Sequence, residues 1–212
     1  MSDVLWFLTR SSGIVAMILI AAAVIDGFIY SGREGGQRLR PVWWVDLHRG
    51  LGGYALIFTI FHLLTAYGAD LGYRVIDIIV PGISKQSTMA VTLGVLAFYA
   101  MLITVFTTWP KRRIRRRIWH AIHLLSLPAA IAIGVHGWQM GTDSRTGWYI
   151  ALMVIITGLV MYPAGLRVSG IVRTRQNRRR NTEASTSPAL SDFLTYPSSP
   201  PSSPSAWSSD TK

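Results

Sequence analysis

Five long apolar stretches occupy most of the chain, and they constrain its fold more than any other feature of the sequence. About 20 residues cross the hydrocarbon core of a bilayer as a helix, and every stretch reaches that length. In lipid, a helix satisfies its own backbone polar groups. The sequence therefore predicts an all-α fold, a polytopic membrane helix bundle of about five transmembrane helices. The predicted spans are residues 11–31, 46–67, 88–108, 117–139 and 147–166.

The composition supports the same class of protein. Charged residues make up 15% of the chain, against about 25% in soluble domains. The absence of cysteine excludes disulfides, iron–sulfur clusters and thiolate metal ligands. The net charge is +11, but the basic residues adjoin apolar stretches, in KRRIRRR (111–117) and from Arg167 to Arg180. This placement indicates contact with membrane lipid and no nucleic-acid partner.

The basic residues of the loops also predict an orientation. Loops 32–45 and 109–117 and the segment after the fifth span hold fifteen Lys and Arg residues, whereas the opposite side holds four. The positive-inside rule then places the N-terminus outside and the C-terminus in the cytoplasm, across the plasma (inner) membrane.

The sequence divides into two predicted regions. Residues 1–170 form the transmembrane domain, and residues 171–212 form a cytoplasmic tail that is basic at first and then rich in Ser and Pro. Such a composition cannot build a core, so the tail is expected to be disordered. The loop 69–87 contains YRVIDIIV, which is either an amphipathic segment on the outer surface or an ordered loop without a role.

All histidines lie in or at the ends of the second and fourth spans. An ionisable group inside a membrane is costly and indicates a functional site. In HRGLGGYALIFTIFH the two histidines are 14 residues apart, a rise of about 21 Å, and two in the fourth span are 13 apart, about 20 Å. The matching rises predict two pairs on facing helices. The five histidines are His48, His62, His120, His123 and His136, and the predicted pairs are His48 with His123 and His62 with His136.

Each predicted pair offers two imidazoles to one metal centre, and haem fits this requirement because its iron takes axial histidines and its ring is apolar. Glycines at 50, 52, 53, 134 and 137 would leave room for a flat ring. Arg49 and Arg117 are candidates to pair with the haem propionates, or they are interfacial anchors. Asp26 and Asp46 are the main acids of the spans, and neither pairs obviously with a histidine.

The helical phase of the fourth span opposes this assignment. Thirteen residues on a straight helix leave His123 and His136 about 140° apart, and His120 fares no better. Phase alone therefore does not choose between His120 and His123, although the rise favours His123. Pro128 lies between the histidines and is expected to kink the helix and alter the phase.

The stretches LTRSSGIVAMILI (8–20), HRGLGGYALIFTIFH (48–62) and IWHAIHLLSLPAAIAIGVHG (118–137) resemble the ferric reductase-like transmembrane domain family over about residues 4–166. That family includes ferric-chelate reductases, NADPH oxidases and the haem subunit of bacterial methionine sulfoxide reductase. The resemblance implies two b-type haems, with His48, His62, His123 and His136 as iron ligands. Many members have six helices, whereas five are predicted here, and the flavin- and nucleotide-binding domain that follows the membrane domain in ferric reductases and NADPH oxidases is not expected in this sequence. The chain is therefore expected to be a stand-alone haem subunit, an oxidoreductase component rather than a complete enzyme.

The function expected from these features is transmembrane electron transfer. The donor would be a cytoplasmic flavoprotein reductase or a quinol, and the acceptor an outside redox partner, ferric iron or oxygen. Two alternatives remain open: a cytochrome b-type, quinol-linked membrane anchor of a larger oxidoreductase, and a small non-redox transporter with histidines in a proton path. The number of haems, one or two, and the role of His120 also remain open.

Overall fold

The computed structural model describes residues 2–31, 42–108 and 114–194, and this part of the chain is almost entirely helical and contains no strand. The predicted all-α membrane bundle is confirmed, because five helical segments are long and apolar enough to cross a membrane. The helices are α1 (Ser2–Ser31), α2 (Val42–Gly68), α3 (Val75–Ile79), α4 (Thr88–Thr108), α5 (Arg116–Leu124), α6 (Ser126–Met140) and α7 (Gly147–Leu194). The five candidate spans are α1, α2, α4, α5 with α6, and α7.

The distribution of side chains is that of a protein surrounded by lipid. Many large apolar side chains of the spans point outward, as in Phe106, Ile131 and Leu159, which are more than half exposed. The buried positions are mostly small, because lipid does not drive large apolar groups inward and small residues let helices approach closely. The buried alanines are Ala16, Ala21, Ala55, Ala69, Ala90, Ala97 and Ala129.

Four spans form the bundle that carries the histidines. α1 packs along α2, and α4 packs along α6, while the contacts of α1 with α6 and of α2 with α4 are lighter. This order places the two histidine-bearing spans, α2 and α5 with α6, across the bundle from each other. Each histidine-bearing span therefore packs against a helix that carries no histidine, α2 against α1 and α6 against α4.

The fourth span is interrupted at one residue, Leu125, between α5 and α6. Pro128 has no N–H to bond the carbonyl of Leu124, and its ring would clash with that carbonyl in a continuous helix. α5 accordingly ends at Leu124, and Leu125 closes a tighter turn through its N–H to Ile122 at 3.0 Å. Pro128 then lies in the first turn of α6, where its missing N–H is tolerated.

The long loop between α2 and α4 contains the short helix α3. Arg74 precedes α3, and its backbone and guanidinium N–H groups donate to the buried carboxylate of Asp77 at 2.8–3.2 Å. Val75, Ile76 and Ile79 are about half exposed. The segment YRVIDIIV thus contains an ion pair between Arg74 and Asp77, and Tyr99 of α4 donates to the carbonyl of Ile79 at 2.7 Å. The apolar side chains of Val75, Ile76 and Ile79 point outward.

The last helix continues beyond the fifth predicted span. α7 runs to Leu194, so it enters the segment predicted to be a disordered tail, whereas residues 195–212 lie outside the described part of the chain. Loop residues 32–41 and 109–113, which carry many of the basic residues used for orientation, also lie outside it. The chain divides into two units, Met1–Arg167 and Val168–Lys212, and the site described below lies in the first.

Candidate haem site

The structure brings four of the five histidines together as two pairs. His48 of α2 lies beside His123 of α5, with ring centroids 5.8 Å apart. His62 of α2 lies beside His136 of α6, with ring centroids 6.4 Å apart. We refer to His48 and His123 as the first pair and to His62 and His136 as the second pair. Both pairs join the partners that the matching rises predict.

In the second pair, each imidazole is oriented by a backbone carbonyl of a neighbouring helix. Nδ1 of His62 lies 2.8 Å from the carbonyl oxygen of Thr9 on α1. Nδ1 of His136 lies 2.7 Å from the carbonyl oxygen of Ala90 on α4. A carbonyl only accepts, so Nδ1 carries the proton in both rings and Nε2 keeps its lone pair. Metal-binding histidines are typically oriented in this way.

Glycines allow this close approach. A Cβ at Gly13 would lie 3.0 Å from Nδ1 of His62, and a Cβ at Gly94 would lie 2.8 Å from Nδ1 of His136. Each glycine follows the carbonyl that accepts the hydrogen bond by four residues, so carbonyl and glycine share one helix face. α1 and α4 therefore make the same kind of contact with one histidine each, through a backbone carbonyl and a glycine that has no side chain.

The first pair has a different partner. Oδ2 of Asp26, on α1, lies 3.2 Å from Nδ1 of His48, and the carboxylate is buried. The two atoms lie within ion-pair distance but are not aligned for a hydrogen bond. A Cβ at Gly27 would lie 3.2 Å from Cε1 of the same histidine. The expectation that Asp26 pairs with no histidine was wrong, because the contact depends on how α1 packs on α2.

His123 is held by an aromatic neighbour. The ring of Trp119, one turn earlier on α5, stacks on His123 with centroids 4.9 Å apart and planes 14° apart. His120 lies beside the same indole at 5.0 Å, but its side chain is exposed and it belongs to neither pair. The structure thus places His123, rather than His120, opposite His48.

A cavity of about 240 Å³ adjoins the second pair. Both histidines line it, together with Tyr73 from the loop before α3 and Tyr149 from α7. Arg10 and Asp143 also line it, and they form an ion pair in which the carboxylate is nearly buried. Most of the remaining lining is apolar, so the cavity suits an apolar group with a few polar substituents.

The two arginines proposed to bind propionates lie near the first pair. Arg49 follows His48 on α2, and Arg117 lies in the first turn of α5. Both are exposed. Their role as propionate partners stays a prediction.

The donor set fits a haem iron with two axial imidazoles. Ring nitrogens about 2 Å from a shared metal ion place two imidazole centres about 6 Å apart, close to the 5.8 and 6.4 Å of the two pairs. Within residues 2–31, 42–108 and 114–194, no three His, Cys, Asp or Glu side chains come together as a metal cluster. The four histidines lie as two couples, an arrangement that could supply two axial ligands to a six-coordinate haem iron.

The family model described as the ferric reductase like transmembrane component matches residues 12–134, more than half of the chain. The protein belongs to the ferric reductase-like transmembrane family. The matched segment includes the first pair and His62, and it ends two residues before His136. No curated protein and no solved structure matches the chain. The resemblance inferred from the sequence is thereby confirmed, and with it the expectation of an integral membrane protein.

Sequence reasoning missed the residues of this ferric reductase-like domain that orient the histidines. The same spacing of four positions separates Thr9 from Gly13 on α1 and Ala90 from Gly94 on α4. A small residue followed four positions later by glycine, on α1 and again on α4, is the signal that would have found them. Asp26 carried only the signal of an acid inside a span.

The glycines predicted to make room for haem behave differently from those that seat histidines. A Cβ at Gly50, Gly52 or Gly53 would meet no atom within 4 Å, so the space beside α2 is open there. A Cβ at Gly137 would lie 2.9 Å from the hydroxyl of Tyr149. This glycine on α6 is therefore needed for the packing of α7 against α6.

Proposed function

We propose that this ferric reductase-like domain carries electrons across the membrane through two b-type haems, each held by two histidines. The observation that carries the proposal is the repetition of one arrangement at two depths of α2. At each depth an α2 histidine faces a histidine of the broken fourth span, at a separation suited to one iron. Family membership supports electron transfer in a membrane.

The protein's own residues decide what kind of redox chemistry is possible. Haem supplies a one-electron couple inside the bilayer. Two histidines per iron would leave no open coordination position, so the acceptor would receive electrons at the haem edge rather than at the metal. The carbonyls of Thr9 and Ala90 keep the second-pair rings in one tautomer and orientation, so little reorganisation accompanies a change of charge.

We further propose the direction and the partners. The basic loops adjoin the end of the bundle that holds the first pair, so the positive-inside rule places this pair on the cytoplasmic side. The donor there would be a cytoplasmic flavoprotein reductase or a membrane quinol. The second pair would face outside, in the plasma (inner) membrane, and would pass electrons to a redox partner, ferric iron or oxygen. In this scheme the chain is a component of an oxidoreductase.

Haem counting tests the proposal. The chain is produced with ample haem, purified in detergent, and examined by a reduced-minus-oxidised spectrum and by pyridine haemochrome. We expect two b-type haems per chain. His62→Ala and His136→Ala should each leave one haem, and both should lose the same spectral component.

The fourth span supplies the sharpest comparison. His123→Ala should remove the first-pair haem, whereas His120→Ala, three residues away on the same helix, should leave two haems. A colourless wild-type chain would contradict the proposed function. Loss of a haem in His120→Ala, with none lost in His123→Ala, would contradict the assignment of ligands in the fourth span.

A further inference from the structure

The two histidine pairs differ in the charge of the groups that face them. The second-pair rings donate to backbone carbonyls, which are neutral. His48 of the first pair faces the buried carboxylate of Asp26 at 3.2 Å. The two sites are therefore alike in their ligands but unlike in their electrostatic surroundings.

The acid near the second pair, Asp143, does not give that pair a matching free negative charge. Asp143 lies at the cavity beside that pair, but Arg10 forms an ion pair with it. Asp26 contacts Trp44, whose indole is neutral, and His48, which must be neutral to bind a metal. Among the described contacts, the first pair therefore has a carboxylate at the far nitrogen of one ligand, whereas the second pair has neutral carbonyls in that place.

We propose that Asp26 sets the order of the two reduction potentials. Its carboxylate lowers the potential of the haem held by the first pair below that of the haem held by the second pair. The inference rests on the proposed function. Iron gains one positive charge when it is oxidised, and a nearby anion favours that form. A carboxylate on the far nitrogen of a ligating imidazole also makes the ligand more basic.

This order of potentials gives electron flow a direction. One electron would leave an iron held by His48 and His123, which would pass from ferrous to ferric, and it would reduce an iron held by His62 and His136 from ferric to ferrous. No bond forms or breaks, and no proton is required. The flavin or quinol of the proposed function returns the first site to the ferrous state. Asp26 is accordingly a positioning residue that acts on the haem through His48.

The test is a redox titration of chains that hold a single haem. In a His62→Ala background only the first-pair haem remains, and in a His123→Ala background only the second. Asp26→Asn keeps an oxygen acceptor near His48 but removes the charge. Asp46→Asn is the matched control, because Asp46 is an exposed acid on α2 two residues from His48.

We expect Asp26→Asn to shift the ferric–ferrous equilibrium of the first-pair haem toward the ferrous form by tenfold or more. A tenfold change corresponds to about 59 mV for one electron. The second-pair haem should keep its potential in Asp26→Asn, and both haems should keep theirs in Asp46→Asn. In wild-type chains the first-pair haem should titrate at the lower potential.

Two results would overturn the inference while leaving the proposed function intact. One is a chain with two haems in which Asp26→Asn leaves the first-pair potential unchanged or lowers it. The other is a first-pair haem that titrates above the second in the wild type. If Asp26→Asn fails to retain the haem, Asp26→Glu replaces it. The inference then requires haem binding at the wild-type potential in that variant, and a lost haem or a changed potential overturns it.

Discussion

Gly94→Ala tests how closely His136 packs against α4. The new Cβ would lie 2.8 Å from Nδ1 and 2.9 Å from Cε1 of His136, whereas ordinary contact begins at 3.4 Å. The ring must therefore move, and its 2.7 Å hydrogen bond to the carbonyl of Ala90 is lost. The lost bond costs about 1 kcal/mol and overpacking costs about 1–3 kcal/mol. The better helix propensity of alanine offsets about 1 kcal/mol.

The net cost of about 1–3 kcal/mol corresponds to roughly 5- to 150-fold weaker haem binding at the second pair. The assay is a haem titration of the purified chain, followed by Soret absorbance, with pyridine haemochrome to count the bound haem. Gly158→Ala is the matched control. It lies in α7, and its Cβ would meet no atom within 4 Å, so haem binding should match the wild type.

Gly13 and Gly27, the other two glycines that contact histidine rings, make the prediction quantitative. Clearance increases from Gly94 at 2.8 Å to Gly13 at 3.0 Å and Gly27 at 3.2 Å. The loss of haem affinity should decrease in that order. Gly13→Ala should weaken the second pair, and Gly27→Ala the first. Wild-type affinity in Gly94→Ala, or a larger effect at Gly27 than at Gly94, would refute the argument from clearance.

Two further predictions follow from the break in the fourth span and from the loop helix. Pro128→Ala should let α5 and α6 join into one helix and turn His123 away from His48. The haem content should then fall by half, because the second-pair haem stays, and an unchanged haem content would contradict this. The guanidinium and backbone N–H of Arg74 lower the pKa of Asp77 below its ordinary value of 3.8. Their contribution is present above pH 3.8 and is lost as the pH falls through the folded pKa. The protection factors of the α3 amides, which correct for the intrinsic pH dependence of exchange, should therefore be high at neutral pH and fall below pH 3.8. Asp77→Asn should have low protection factors at both pH values, and high protection in that variant would refute the pairing.

The sequence was sufficient for the spans and for the choice of histidines to compare. Span prediction succeeds because a helix in lipid satisfies its own hydrogen bonds, so length and hydropathy decide it locally. The pairing of His62 with His136 could be predicted because rise along a helix is fixed at about 1.5 Å per residue. The phase of His123 could not be derived, because the break before Pro128 changes the rotation by an amount that packing decides.

What the sequence alone determined is a histidine-bearing, five-span helical membrane protein of a recognisable family. Only the tertiary structure revealed that Asp26 faces His48, that carbonyls of α1 and α4 orient the second pair, and that glycines permit both. The physical reason is the difference between local and long-range interactions. Hydropathy and helical rise are properties of one segment, whereas a contact between two helices depends on the rotation and depth of both, which no single stretch of sequence specifies.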